Sequence, residues 1–324
     1  MCLAGARGVT RRGLAREALG AEWGVGSSRP RDTAASRTWA PSPLTPHPSP
    51  VAPLVTSSAH DLRRRFREEY AAHRASEGRG QSAVDALTLP YVTTGPLARQ
   101  WAVRARTFEA FERRVLRPAQ RRADVRAAGA LRVLDLGAGN GWLAHRAALA
   151  GAVALALDVR DDDVDGLRAA PSRSPIERVV ASFEAIPLQD ASFDLVVFNA
   201  SLHYAEDLAR ALAEARRVVR PAGRVVVLDS PFYMSTKHGE AMLRAKREDA
   251  ERRFGARAEA LMALAFVEYL TRERLADASR GLGLAPWRRH RVLYPLWYEL
   301  RAVRAALRGE RPPSRFDVWE TVAA

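Results

Sequence analysis

The sequence predicts an α/β fold: a mostly parallel, doubly wound sheet with an antiparallel last strand, an α-helical N-terminal extension and a helical lid insertion. Three observations lead there. From Leu131 onward, short β-branched runs alternate with runs of helical period, the pattern of strands joined by crossover helices. The first of those runs enters a turn carrying Gly137, Gly139 and Gly141 without an intervening break. Before Leu131, apolar residues recur only at helical spacing.

Residues 1–58 have no sustained period, and Pro41, Pro43, Pro46, Pro48, Pro50 and Pro53 punctuate their second half, so they read as a disordered leader. Its Arg- and Ser-rich, acid-poor composition is also that of a transit peptide, and equally that of a start codon assigned too far upstream; the apolar stretch of a secretory signal is lacking. Residues 59–130 form the N-terminal extension. Asp61 can cap a helix over 61–74, and a second helix over about 97–116 follows the Thr93-Thr94-Gly95-Pro96 turn, with Trp101, Phe108, Phe111 and Val115 on one face.

Residues 131–324 form the main domain. Strands are expected over 131–136, 153–158, 178–181, 193–198 and 223–229, with helices over 142–150, 162–170 and 207–219, the last ended by Pro221 and Gly223. The insertion at about 231–282 reads as helix over 237–270 and 272–282. A strand over 287–294, a helix over 297–308 and a last strand over 316–322 follow.

Composition limits the function classes. The 324 residues carry 47% hydrophobic and 27% charged residues, which suits a globular chain with a sizeable core. One cysteine, Cys2, excludes an internal disulfide, a cysteine zinc site and a CxxC pair, and points to a reducing, cytoplasmic setting, with organelle targeting by the leader as the alternative. No apolar run approaches the length of a membrane helix, and no His/Asp/Glu cluster has metal-ligand spacing, so neither a membrane span nor a metal is expected. The net charge of +14 divides into +4 over 1–60, +7 over 61–130, −3 over 131–230 and +6 thereafter. The basic character therefore belongs to the flanks, and a uniform Arg bias, with only Lys237 and Lys246 as lysines, argues against tuning to nucleic acid.

The glycine turn suits a nucleotide. Without side chains at Gly137 and Gly139 a ligand can approach the backbone, and a helix N-terminus follows with free N–H groups. A dinucleotide fingerprint would place its third glycine at 142, where Trp142 stands, which weakens a dehydrogenase reading. Asp135 precedes the turn and Asp158 closes the next strand, where a carboxylate can accept both hydroxyls of a ribose; a helix-start acid beside Asp161, Asp162 and Asp163 is the other reading of Asp158.

Four collinear stretches carry a resemblance. Val133 to Gly141, reading VLDLGAGNG, resembles the first motif of class I S-adenosylmethionine-dependent methyltransferases. Glu184 to Val196 is similar to the segment leading into that family's fourth strand, Asn199 to Tyr204 to the loop after it, and Val219 to Val225 to the turn into the fifth. Together they span about 131–230, and the likeness is strongest to the small-molecule group called type 11.

The resemblance implies a Rossmann-like domain and S-adenosyl-L-methionine as cofactor, with S-adenosyl-L-homocysteine as product. By it, Gly137, Ala138 and Gly139 pass beneath the methionine part, Gly141 completes the turn, and Asp135 holds the ammonium. Asp158 binds the ribose, Val159 packs on one adenine face, and Ser182 and Phe183 edge the adenine; many members carry Asp where Ser182 stands. The backbone carbonyl of Asn199 faces the cofactor's amino group, and the absence of Asn-Pro-Pro-Tyr there argues against a base-amine methylase. His203 is the imidazole placed to act as general base, or else shapes the pocket, and Tyr204 is a lid or packing residue. Tyr70, His73, Tyr91, Trp101, Tyr233, His238 and Tyr269 are candidate lining residues, and His290, among Arg288, Arg289 and Arg291, reads as a solvated edge.

The expected function is methyl transfer to a small organic acceptor at oxygen, nitrogen or carbon. One alternative is methylation of tRNA or rRNA, on the strength of the basic flanks. Another is a non-catalytic cofactor-binding or scaffold protein of the same fold, for which Ser182 is the only support.

Overall fold

The computed structural model describes residues 83–125, 129–171, 174–255 and 264–324. The expected leader over 1–58, the helix over 61–74, and Tyr70 and His73 lie outside them. Seven strands form one sheet: β1 (Arg132–Leu136), β2 (Val153–Asp158), β3 (Ile176–Val180), β4 (Phe193–Asn199), β5 (Val219–Leu228), β6 (Arg288–His290) and β7 (Val318–Val322). Their order is β3-β2-β1-β4-β5-β7-β6. The first five are parallel, and β7 runs antiparallel between β5 and β6. The strand order reverses between β1 and β4, which is where an open α/β sheet leaves a crevice at its carboxyl edge.

Helices cover both faces. In chain order they are α1 (Ala83–Thr88), α2 (Ala98–Phe111), α3 (Arg117–Val125), α4 (Trp142–Leu149), α5 (Leu208–Val218), α6 (Thr236–Phe254), α7 (Arg272–Ala278) and α8 (Leu296–Leu307). A π-helical turn, Glu112–Leu116, joins α2 to α3. Strand alternation sorts the core into two layers. Val133, Val197 and Val226 face Trp101, Phe108, Phe111, Trp142 and Leu143 of α2 and α4. Leu134, Leu136, Phe198 and Val227 face Leu208, Leu212 and Ala215 of α5 and Leu275 of α7. At about 25 cal/mol per Å² of apolar surface removed from water, these two layers are the main stabilising contribution.

Several expected elements differ. The helix expected over 162–170 is a loop ending in a single turn, Leu167–Ala169. There the Asp162 carboxylate accepts N–H bonds from Val164, Asp165 and Gly166, a local arrangement that competes with helix. Strand β5 begins at Val219, directly after α5, and its register against β4 skips from Val219 to Arg224, so Pro221 to Gly223 loop out of it, with Ala222 at φ 58°. The helix expected over 237–270 ends at Phe254 before Gly255, and Tyr233 N–H and Leu270 N–H then tie 264–271 to the stretch after β5. The strand expected over 287–294 shrinks to the three residues of β6. Its His290 is not solvated: Nε2 lies 2.9 Å from Glu320 of β7, which also holds Arg224 of β5 at 2.7 Å.

Candidate functional site

The carboxyl ends of β1 and β4 frame the site. After Leu136 the chain turns sharply, and the amides of Gly137 and Ala138 both donate to Leu157 O, at 2.8 and 3.0 Å. Gly137, Gly139 and Gly141 all have φ between 55° and 69°, the left-handed region that disfavours side chains. Space imposes the same restriction: a Cβ on Gly137 would collide with the side chain of Ser201, which is pinned by donating its hydroxyl to Leu136 O. Gly141 is the N-cap of α4, and a Cβ there would meet Ile176 at 2.9 Å. Trp142, where a dinucleotide fingerprint would continue with glycine, is buried and meets Trp101 edge-on at 6.0 Å and Phe108 at 5.6 Å. It therefore fastens α2 over the turn.

Asp135 lies beneath the turn, fully buried. Its Oδ2 accepts from Ala144 N–H at 3.3 Å, while Oδ1 has no hydrogen-bond partner among the described residues. Burial pushes its carboxyl up to about 8, with the amide bond opposing. Asn199, the last residue of β4, is also buried with its Oδ1 unpartnered, so the side chain joins the backbone carbonyl expected there. Both residues continue the strand face that carries Val133 and Val197. Unsatisfied acceptors inside a protein cost free energy and call for an explanation.

Asp158 is buried at the end of β2 and accepts from Gly139 N–H and Arg160 N–H, each at 2.8 Å. Burial raises its pKa against the pull of those two amides. It is thus more than a helix-start acid, since it ties the glycine turn to its neighbouring strand. Val159, next to it, is 47% exposed. Ser182 Oγ accepts from Glu184 N–H at 3.1 Å, and Phe183 packs edge-on against Phe198 at 5.6 Å, with its ring edge 3.5 Å from where a Cβ on Gly137 would lie. So β1, β2 and the stretch after β3 bring the expected residues to one edge.

A cleft of about 70 Å³ opens between the turn and α2, lined by Gly137, Ala138, Gly139 and Asn199 on one side and by Leu97, Trp101 and Arg104 on the other, with Asp165 at its rim. His203 does not line it. Its turn, Leu202–Tyr204, directs Nδ1 to Ser230 at 3.3 Å, packs the imidazole at a tilt against Tyr204 at 4.3 Å, and is held by Glu268 N–H on His203 O. Of the other candidate lining residues that are described, only Trp101 reaches the cleft: Tyr91 is exposed beneath Arg146, Tyr233 and Tyr269 pack on each other, and His238 pairs with Ser235. Ser201 and Arg104 escape sequence reasoning. Ser201 lies inside a quoted motif, but only the steric contact with Gly137 reveals its part.

The family model described as a methyltransferase domain matches residues 134–227, the stretch that runs from β1 to β5. Over these residues the chain is similar to methyltransferase domains. The domain's relatives include a malonyl-[acyl-carrier protein] O-methyltransferase of Methylococcus capsulatus, 41% identical over 97 residues, which are 29% of this chain and 35% of that protein. An uncharacterized methyltransferase of Mycobacterium tuberculosis is 42% identical over 98 residues, 30% of this chain and 39% of that protein. The chain thus matches little more than a third of the length of these curated relatives. Among solved structures, the 1,6-didemethyltoxoflavin-N1-methyltransferase of Burkholderia thailandensis is 17% identical with a TM-score of 0.39, covering 71% of this chain and 91% of that one. In the described residues no helix is long and apolar enough to cross a membrane.

Proposed function

We propose that the protein is an S-adenosylmethionine-dependent methyltransferase of small organic acceptors, working at oxygen, nitrogen or carbon in the cytoplasm. The observation that carries this reading is the pair of unpartnered buried oxygens, Asp135 Oδ1 and Asn199 Oδ1, beside a glycine turn whose residues 137–139 line the cleft. Two desolvated acceptors at one strand edge suit an ammonium donor. Asp158 keeps lone pairs for a sugar diol beyond its two amide bonds, and Val159 and Phe183 offer apolar surface to a base.

When bound, the cofactor supplies an electrophilic methyl group on sulfur. The chain's own contribution is positioning and the exclusion of water. Asp135 and Asn199 fix one end and Asp158 the other, while Leu97 and Trp101 roof the turn. Ligand pockets are on the order of 300 Å³ or larger, so admitting a nucleoside to a cleft of about 70 Å³ requires the wall of Leu97, Trp101 and Arg104 and the rim at Asp165 to give way. His203 is the proposed proton acceptor where the acceptor atom must lose one, oriented by Ser230 and Tyr204.

Calorimetric titration with S-adenosylhomocysteine tests the reading. One-to-one saturable heat is expected, and its absence would refute the proposal. Transfer of labelled methyl to RNA in place of metabolites would instead favour the RNA alternative, with binding that weakens steeply in salt.

A further inference from the structure

Beyond the cleft the molecule contains a second cavity of about 280 Å³, and Arg104 lines both. Its near wall is Arg99 and Arg104 of α2 and Asp229, the residue after β5; its far wall is Trp297, Tyr298 and Arg301 of α8. Asp229 follows Leu228, the register partner of Asn199, so it stands one strand over from the edge described above.

Three buried polar atoms on this lining have no hydrogen-bond partner among the described residues: Asp229 Oδ1, Tyr298 Oη and Arg301 Nε. Asp229 is 7% exposed and Tyr298 3% exposed. They differ in kind, an acceptor on the β5 side facing two donors on the α8 side. The Arg301 guanidinium lies over the Tyr298 ring, 3.8 Å from its centroid, while Nη2 donates to Ser314 O at 2.9 Å, so it is fixed in place and still has Nε to offer. Burial pushes the Tyr298 hydroxyl up to about 12, which keeps it a neutral donor, and pushes Asp229 up to about 6 against the pull of Arg104. Trp297 adds an aromatic surface to this cationic lining.

Building on the methyltransferase reading, we infer that this cavity is the acceptor site, and that it takes a planar hydroxy acid. The carboxylate meets Arg301 and the Tyr298 hydroxyl, the ring lies against Trp297, and the hydroxyl donates to Asp229 at the end toward the glycine turn. A purely apolar acceptor would leave the three polar atoms unpaired, at a free-energy cost for each. A one-ring acid pairs all of them, and a cavity of about 280 Å³ is a suitable size for it.

Calorimetry on the full chain with 4-hydroxybenzoate, benzoate and 4-hydroxybenzyl alcohol as probes tests this, without cofactor and with S-adenosylhomocysteine present. The hydroxy acid should bind roughly tenfold more tightly than either analogue, the effect of one charge-assisted hydrogen bond. Arg301→Gln should abolish the preference over the alcohol, and Asp229→Asn the preference over benzoate. Arg99→Gln, at an exposed position, should weaken all carboxylates modestly and serves should either buried variant fail to fold. Equal binding of the three probes, no binding of any, or preferences untouched by all three variants would overturn the inference. Failure to bind S-adenosylhomocysteine with the probe preferences intact would strike the methyltransferase reading alone.

Discussion

Asp158 accepts the amide hydrogen of Gly139 at 2.8 Å, so the carboxylate that ends β2 also anchors the glycine turn. Asp158→Ala strands the amides of Gly139 and Arg160, at about 1–3 kcal/mol for each buried donor left unpaired. It should therefore lower both the affinity for S-adenosylhomocysteine and the melting temperature, with Asp158→Asn in between. Calorimetry and thermal melts check the pair; a loss of affinity with an unchanged melt would remove the anchoring role.

Gly137 and Ser201 occupy the same space. Gly137→Ala combines φ 69° with a collision against Ser201, so it should destabilise the fold by more than the usual ~1 kcal/mol for alanine at a positive φ. Adding Ser201→Gly relieves the collision but not the backbone strain, and the double variant should recover part of the stability in urea denaturation. Additive losses would show that the two residues do not meet.

Asp135 predicts a pH dependence. Its folded-state pKa of about 8 stands above the unfolded value of 3.8, so the proton is held more tightly by the native state. That stabilisation is complete below pH 4 and is lost as pH rises toward and through 8. Native stability should fall more steeply with pH over this window in the wild type than in Asp135→Asn. Ammonium binding needs the carboxylate, so cofactor binding near pH 7 should release a proton, seen by calorimetry in buffers of different ionisation enthalpy and absent in Asp135→Asn.

His203→Ala should slow turnover while leaving affinity for S-adenosylhomocysteine within about twofold, since the ring does not line the cleft. Unaltered turnover would reduce the imidazole to a support for Tyr204 and Ser230.

Trp142→Ala removes the contact that fastens α2 over the turn. Loss of a buried aromatic side chain costs about 3–5 kcal/mol, to be measured by urea denaturation. A cost below ~1 kcal/mol would mean that α2 is held by other contacts.

Much of this arrangement is legible along the chain because it is local. The strand into a glycine turn, Asp158 closing the next strand, and Trp101, Phe108 and Phe111 on one helical face each follow from short spacing. The failures are also physical. Asp161, Asp162 and Asp163 read as a helix start, but Asp162 spends its carboxylate on three successive amides and holds a loop. Residues 237–270 read as one helix, yet Tyr269 folds back onto Gly239, a contact no periodicity announces. Asp229 and Tyr298 lie 69 positions apart and are neighbours only because β7 slots between β5 and β6 and carries α8 to the sheet's edge.

That slotting ties two properties together. Helix α8 is spliced between two hydrogen-bonded strands, β6 and β7, so the wall bearing Trp297, Tyr298 and Arg301 is continuous with the architecture itself. Redesigning what this protein recognises cannot be done by trading a surface loop. It means altering a side chain in place, or rebuilding one flank of the sheet along with it.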